Sequence, residues 1–147
     1  MDEALPDDAT VILHVSKGRQ LPKDADICES IDQDAFRCDD DGISVTWVEY
    51  FDGQASEQFH QAAHAMKGAM KLRKSGVIVT AKVADIKAVL AEVGVSVEVV
   101  TDPQLENEAH CLIKGIQPEN LTGLLALTQA FPRAGFIQCD TVEGLVG

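Results

Sequence analysis

Apolar positions along this chain fall into short runs whose spacing switches between two and about 3.6 residues, the signature of strands interleaved with helices. Thr10 to Val15 predicts a first strand, with Val11, Leu13 and Val15 on one face and Ile12 and His14 on the other. Ile43 to Tyr50 predicts another, because Ile43, Val45 and Trp47 alternate with Ser44 and Thr46. Asp41-Gly42 follows Phe36-Arg37-Cys38 just ahead of it, and Asp-Gly between extended segments predicts a hairpin centred there. From Glu57 to about Lys74 the period becomes helical: Phe59, Ala63, Met66 and Met70 share a face, Ser56 is the expected N-cap and Gly76 the stop. The opposite face then carries His60, His64, Lys67 and Lys71 as a solvated basic stripe.

Val77 to Ala81 predicts an interior strand, and Ile86, Val89, Leu90 and Val93 predict a helix over 84–93 that stops at Gly94. Val95 to Val100 alternates as a strand. Thr101 to Glu108 reads as a loop pinned by Pro103, and Ala109 to Lys114 as a strand ended by Gly115. Pro118 and Glu119 are expected to open a third helix, buried through Leu121, Leu124, Leu125, Leu127 and Phe131. Residues 20–35 show no sustained period, which suits a long connection or an irregular helix around Ala25 to Ile31. The order suggests one α+β domain over 1–147, a mixed sheet of about five or six strands with about three helices. A βαβ unit through the 84–93 helix would supply the parallel pairing.

Charge narrows the partners more than the fold. Residues 1–57 hold fifteen Asp and Glu against four Lys and Arg, a net of −11 out of −12 for the whole chain, whereas the remaining residues are near neutral. A surface of that sign repels nucleic acid and attracts basic partners. At 147 residues with 46% hydrophobic content, the chain can bury one sizeable core. No apolar run approaches the roughly 18 residues of a membrane span, and no basic leader precedes Asp2 and Glu3, so a cytoplasmic protein away from membranes is expected. Cys28, Cys38, Cys111 and Cys139 lack zinc-knuckle spacing and are expected to be reduced thiols.

Among groups able to do chemistry, His60 and His64 are four apart on one helix face and could share a metal ion. Gln61 stands where a zinc peptidase would carry its Glu, and no third ligand is identifiable, so no metal is expected and the pair reads as part of the solvated face. That stripe could also bind an anion or lie against Asp39 to Asp41, of which the second is the plainer structural role. Asp39-Asp40-Asp41-Gly42 fails as an EF-hand loop because Val48 would occupy the position of the bidentate Glu. Ser16-Lys17-Gly18-Arg19 lacks P-loop spacing and reads as a surface turn. His110 is different: a polar loop delivers its imidazole to the start of an apolar strand, where general acid or base chemistry is often placed, with Asn107, Asp102 and Arg37 as candidate neighbours. No motif for a nucleotide, flavin or other cofactor is present.

Asp34-Ala35-Phe36-Arg37 with Ile43-Ser44-Val45, and Asp102-Pro103 with Asn107 to Gly115, resemble recurring segments of a loose group of small bacterial proteins of no assigned activity. The resemblance implies a compact bacterial protein and no particular role. The features together support an acidic protein-binding module, of inhibitor or immunity type, acting on a basic partner rather than an enzyme. The alternative is a small-molecule enzyme or ligand-binding domain using His110. Phe136, Ile137, Val142, Leu145 and Val146 form an apolar tail that either packs as a last strand or self-associates, and with the apolar third helix it suggests a homodimer.

Overall fold

The computed structural model describes residues 3–15, 20–21, 30–31, 38–39, 42–69, 72, 76–117, 119–131 and 137–145. Its strands are β1 (Thr10–Val15), β2 (Gln20–Leu21), β3 (Ser30–Ile31), β4 (Cys38–Asp39), β5 (Gly42–Trp47), β6 (Val77–Lys82), β7 (Glu98–Thr101), β8 (His110–Lys114) and β9 (Ile137–Gln138). The helices are α1 (Ala55–Ala69), α2 (Val83–Ala91) and α3 (Leu121–Leu127). The main sheet runs β7-β8-β5-β1-β6-β9, with β4 added as a hairpin partner of β5 and β2-β3 forming a separate pair. This is an α+β fold.

Every pairing in the sheet is antiparallel, rather than the mixed arrangement expected. The reason is the path of α2. It leaves β6 and crosses β1, β5 and β8 before the chain enters β7 at the far edge, so these two co-directional strands never meet. β1 pairs with β6 along its whole length, from Thr10 opposite Lys82 to Val15 opposite Val77. The expected hairpin pairing is present, with Cys38 opposite Ile43 and Asp39 opposite Gly42, so Gly42 is the first residue of β5. Ser30 and Ile31 are extended against Leu21 and Gln20, not helical; the rest of the Ala25 to Ile31 stretch lies outside the described residues.

Alternation along the strands sends side chains to two cores. Val11, Val15, Ile43, Val45, Val77, Val79, Val99, Cys111 and Ile113 pack on one face against Val83, Ile86 and Leu90 of α2 and Leu124 and Leu127 of α3. Ile86 and Leu90 are fully buried, each contributing about 1.5–3 kcal/mol of apolar transfer. On the other face Ile12 and Ile78 meet Ala62, Ala63 and Met66 of α1, together with Leu72, Cys139 and Leu145. The described part of the apolar tail is used internally: β9 pairs with β6, and Leu145 is sealed under α1, whereas Phe136 and Val146 lie outside the described residues.

Helix ends follow local hydrogen-bond chemistry more than the hydrophobic period. α1 starts at Ala55, because the Glu57 carboxylate accepts the Gln54 N–H at 3.2 Å, half of a capping box; Ser56 is inside the helix. α3 starts at Leu121 instead of Pro118, since Asn120 Oδ1 accepts the Gly123 N–H at 2.9 Å. This later, shorter helix buries Leu124 and Leu127 but leaves Leu121 and Leu125 more than half exposed, unlike the wholly buried helix expected. Beyond α2, Val93 is exposed as well. At the β7 edge the N-terminal segment supplies cover: Leu5 N–H donates to Val99 O, and Thr101 N–H to Glu3 O, both at 2.8 Å.

Candidate functional site

Three of the four residues proposed around His110 come together. In the sheet register Thr46 of β5 stands opposite His110 of β8, and Ile12 opposite Thr46, so both polar side chains face the α1 side. The turn before β8 closes through paired main-chain bonds between Gln104 and Asn107, at 3.0 and 3.1 Å. Asn107, only 2% exposed, donates from Nδ2 to Thr46 Oγ1 at 2.9 Å and accepts the Ala109 N–H on Oδ1 at 3.1 Å. His110 Nδ1 lies 2.9 Å from Asp102 O and 3.1 Å from Asp102 Oδ2. Arg37 lies outside the described residues, as do Lys71 and the Ser16 to Arg19 turn.

A carbonyl only accepts, so Nδ1 carries the ring proton and Nε2 is the basic nitrogen of a neutral His110. That tautomer is one a general base would use. The nearest sulfur in sequence offers it no nucleophile: Cys111 points to the opposite core, where burial and the nearby Asp102 charge push its thiol up to about 12. Two further contacts hold the same loop. Tyr50 donates its hydroxyl to Glu108 at 3.0 Å, which raises the Tyr50 pKa above its ordinary 10.0. Gly68 of α1 sits so close to Glu106 O that a Cβ there would be 2.8 Å away. The loop is thus held at three points by side-chain hydrogen bonds, with α1 packed close at Gly68, while Leu105 at its tip is 96% exposed, between Gln104 and Glu106.

The basic stripe of α1 is exposed at His60 and Lys67 and half-buried at His64, and it has main-chain partners as well. The C-terminal turn lies over it: His60 Nε2 and His64 Nε2 both donate to Glu143 O, at 3.2 and 3.0 Å, and Lys67 Nζ donates to Gly144 O at 3.1 Å. The two imidazole rings are 4.4 Å apart between centroids. Main-chain carbonyls of the turn accept from these side chains, whereas Lys71, the Asp39 side chain, Asp40 and Asp41 lie outside the described residues. No group of three or more His, Cys, Asp or Glu side chains among the described residues is placed to hold a metal ion.

Sequence reasoning missed Thr46, which looks like an ordinary strand residue and acquires its role only through Asn107, 61 positions away. It also missed His14, whose buried Nε2 has no hydrogen-bond partner among the described residues and whose pKa burial lowers from 6.5. Cys111 and Cys139 are free thiols, and burial with the adjacent Asp140 pushes Cys139 up to about 11. No helix among the described residues is long and apolar enough to cross a membrane. Comparison with protein families, with curated proteins and with solved structures returns no match.

Proposed function

We propose that this protein acts by binding a basic protein partner, as an inhibitor or immunity-type module in a bacterial cytoplasm. The observation that carries the reading is the net −11 of residues 1–57. Its described carboxylates, Glu3, Asp7, Asp8, Glu49, Asp52 and Glu57, are all exposed. Asp7 meets Lys87 at 2.9 Å, whereas Glu49 and Glu57 accept main-chain N–H groups. A field of one sign speeds encounter with an oppositely charged surface and discriminates against nucleic acid. The tethered 102–108 loop supports the same reading, since it presents Leu105 in solvent beside the Glu106 and Glu108 carboxylates.

Immobilised protein exposed to an extract of its native host at low and moderate salt tests this. A basic partner is expected to be retained at low salt, released at moderate salt, and lost with the triple variant Asp39→Asn, Asp40→Asn and Asp41→Asn. Absence of any partner whose retention weakens with salt would count against the reading.

The homodimer belongs to this reading, and its support now rests on α3. With Leu145 sealed and β9 paired, the exposed apolar pair among the described helix residues is Leu121 and Leu125, 59% and 57% exposed and four residues apart on one helix face. Light scattering at micromolar concentration is expected to give about twice the 15.8 kDa chain mass, and Leu121→Ser with Leu125→Ser to return it to the chain mass. A value of one chain mass for the unmodified protein would rule the dimer out.

A further inference from the structure

The C-terminal clasp on α1 has a geometry that a hydrogen-bonding role does not require. His60 and His64 each direct Nε2, the outer ring nitrogen, at one point, the Glu143 carbonyl oxygen, from 3.2 and 3.0 Å. Their shared helix fixes that convergence, because side chains four apart stand one above the other. One acceptor oxygen could be satisfied by a single imidazole. Two imidazole nitrogens and a carbonyl oxygen converging on one another are also three donor atoms of borderline-soft and hard character, the mixture that suits Zn(II), Ni(II) and Cu(II).

We propose that His60, His64 and the main-chain carbonyl of Glu143 form a binding site for a divalent transition-metal cation of the zinc, nickel or copper type, which clamps the C-terminal turn onto α1. The metal takes Nε2 of both rings at about 2.0–2.1 Å. Each neutral ring then holds its single proton on Nδ1 instead of Nε2, exchanged through solvent, so ligation changes neither ring's charge. Water fills the remaining positions. His60 is exposed and His64 half-buried, so a hydrated ion reaches the site without unfolding the protein.

Two features set the strength. With two side-chain ligands the site is exchangeable and in the micromolar range of affinity, weaker than a four-ligand structural zinc site. Lys67, bonded to Gly144 O one residue along the turn, places a positive charge nearby and opposes the cation. The net −12 of the chain acts the other way, raising the local concentration of cations. The order expected from imidazole ligation is copper tightest, with nickel and zinc weaker.

Titration of tag-free protein with nickel chloride and with zinc chloride, followed by calorimetry, tests the proposal. One equivalent per chain is expected to bind, with affinity falling at least about tenfold in His60→Ala and in His64→Ala. Because a variant can disturb the turn, the unmodified protein supplies the second measurement. Paramagnetic nickel is expected to broaden the NMR signals of His60 and His64 and the amides of Glu143 and Gly144, leaving His14 and His110 sharp. No binding up to millimolar metal, affinity unchanged in both variants, or broadening centred elsewhere would overturn the site. Broadening confined to α1 would overturn the part assigned to Glu143.

Discussion

Asn107→Ala is expected to cost about 3 kcal/mol of folding stability, a large share of what a domain of this size has. The side chain makes two hydrogen bonds in a place that water does not readily enter: Asn107 and Thr46 are each 2% exposed. Truncation leaves the Ala109 N–H without its 3.1 Å acceptor and the Thr46 hydroxyl without its 2.9 Å donor. An orphaned buried polar group costs about 1–3 kcal/mol, and two are created at once. Urea denaturation gives the measurement. Asn107→Ala combined with Thr46→Val removes one of the two orphans, so the double variant is expected to be more stable than the sum of the singles. A loss below about 1 kcal/mol for Asn107→Ala would mean that water replaces the amide.

The His110 contact differs from that of Asn107 in exposure. Asp102, the His110 partner, has a side chain 41% exposed, so that pair is screened and contributes less than the sealed Asn107–Thr46 contact. His110 and Asn107 act on the same segment from two directions, and Tyr50 ties a third point through Glu108. What they hold rigid is a turn with an exposed Leu105. A rigid apolar residue among carboxylates loses little conformational entropy on docking, which is the property a binding surface needs. On the proposed binding role, these buried hydrogen bonds would orient an external contact.

Strands were legible where one face is buried along its length. β1 matches its expected bounds because Val11 and Val15 alternate with Ile12 into two separate cores, and β6 and β8 are apolar runs, β8 followed by Gly115 and β6 passing directly into α2. β7 begins at Glu98, later than the alternation from Val95 suggests, because Val95 N–H instead closes the end of α2 on Leu90 O at 2.9 Å. Helix starts were set by side chains that reach back to main-chain donors, Glu57 to Gln54 and Asn120 to Gly123, which compete with the apolar period. The grouping of Asp102, Asn107 and His110 was legible because they are close in sequence. The contacts of His60, His64 and Lys67 were not, since their partners are main-chain oxygens about 80 positions away, and a carbonyl leaves no mark in composition or period.

The largest backbone effect is expected at Gly115, where Gly115→Ala should cost about 3 kcal/mol or more. Gly115 follows the last β7–β8 pair, Glu98 opposite Lys114, and there the two chains approach closely. Its φ is +112°, and a Cβ would press on the Ser96 carbonyl oxygen and lie 3.2 Å from Val97 Cα. Both atoms are backbone, so no side chain can swing aside. The strand ends must separate, or the residue must leave its conformation and weaken the β7 edge on which the N-terminal segment rests. Gly94, at the end of the α2 turn, separates the two causes: its φ is +76°, with nothing within 4 Å of an added Cβ. Gly94→Ala therefore isolates the conformational cost of a positive φ, about 1–2 kcal/mol. Thermal or urea unfolding of the two variants side by side measures the difference, which combines the close approach between Gly115 and Ser96 with the added cost of φ +112° over +76°. Equal losses in both would show that the β7–β8 end relaxes freely and that conformation alone selects glycine at 115.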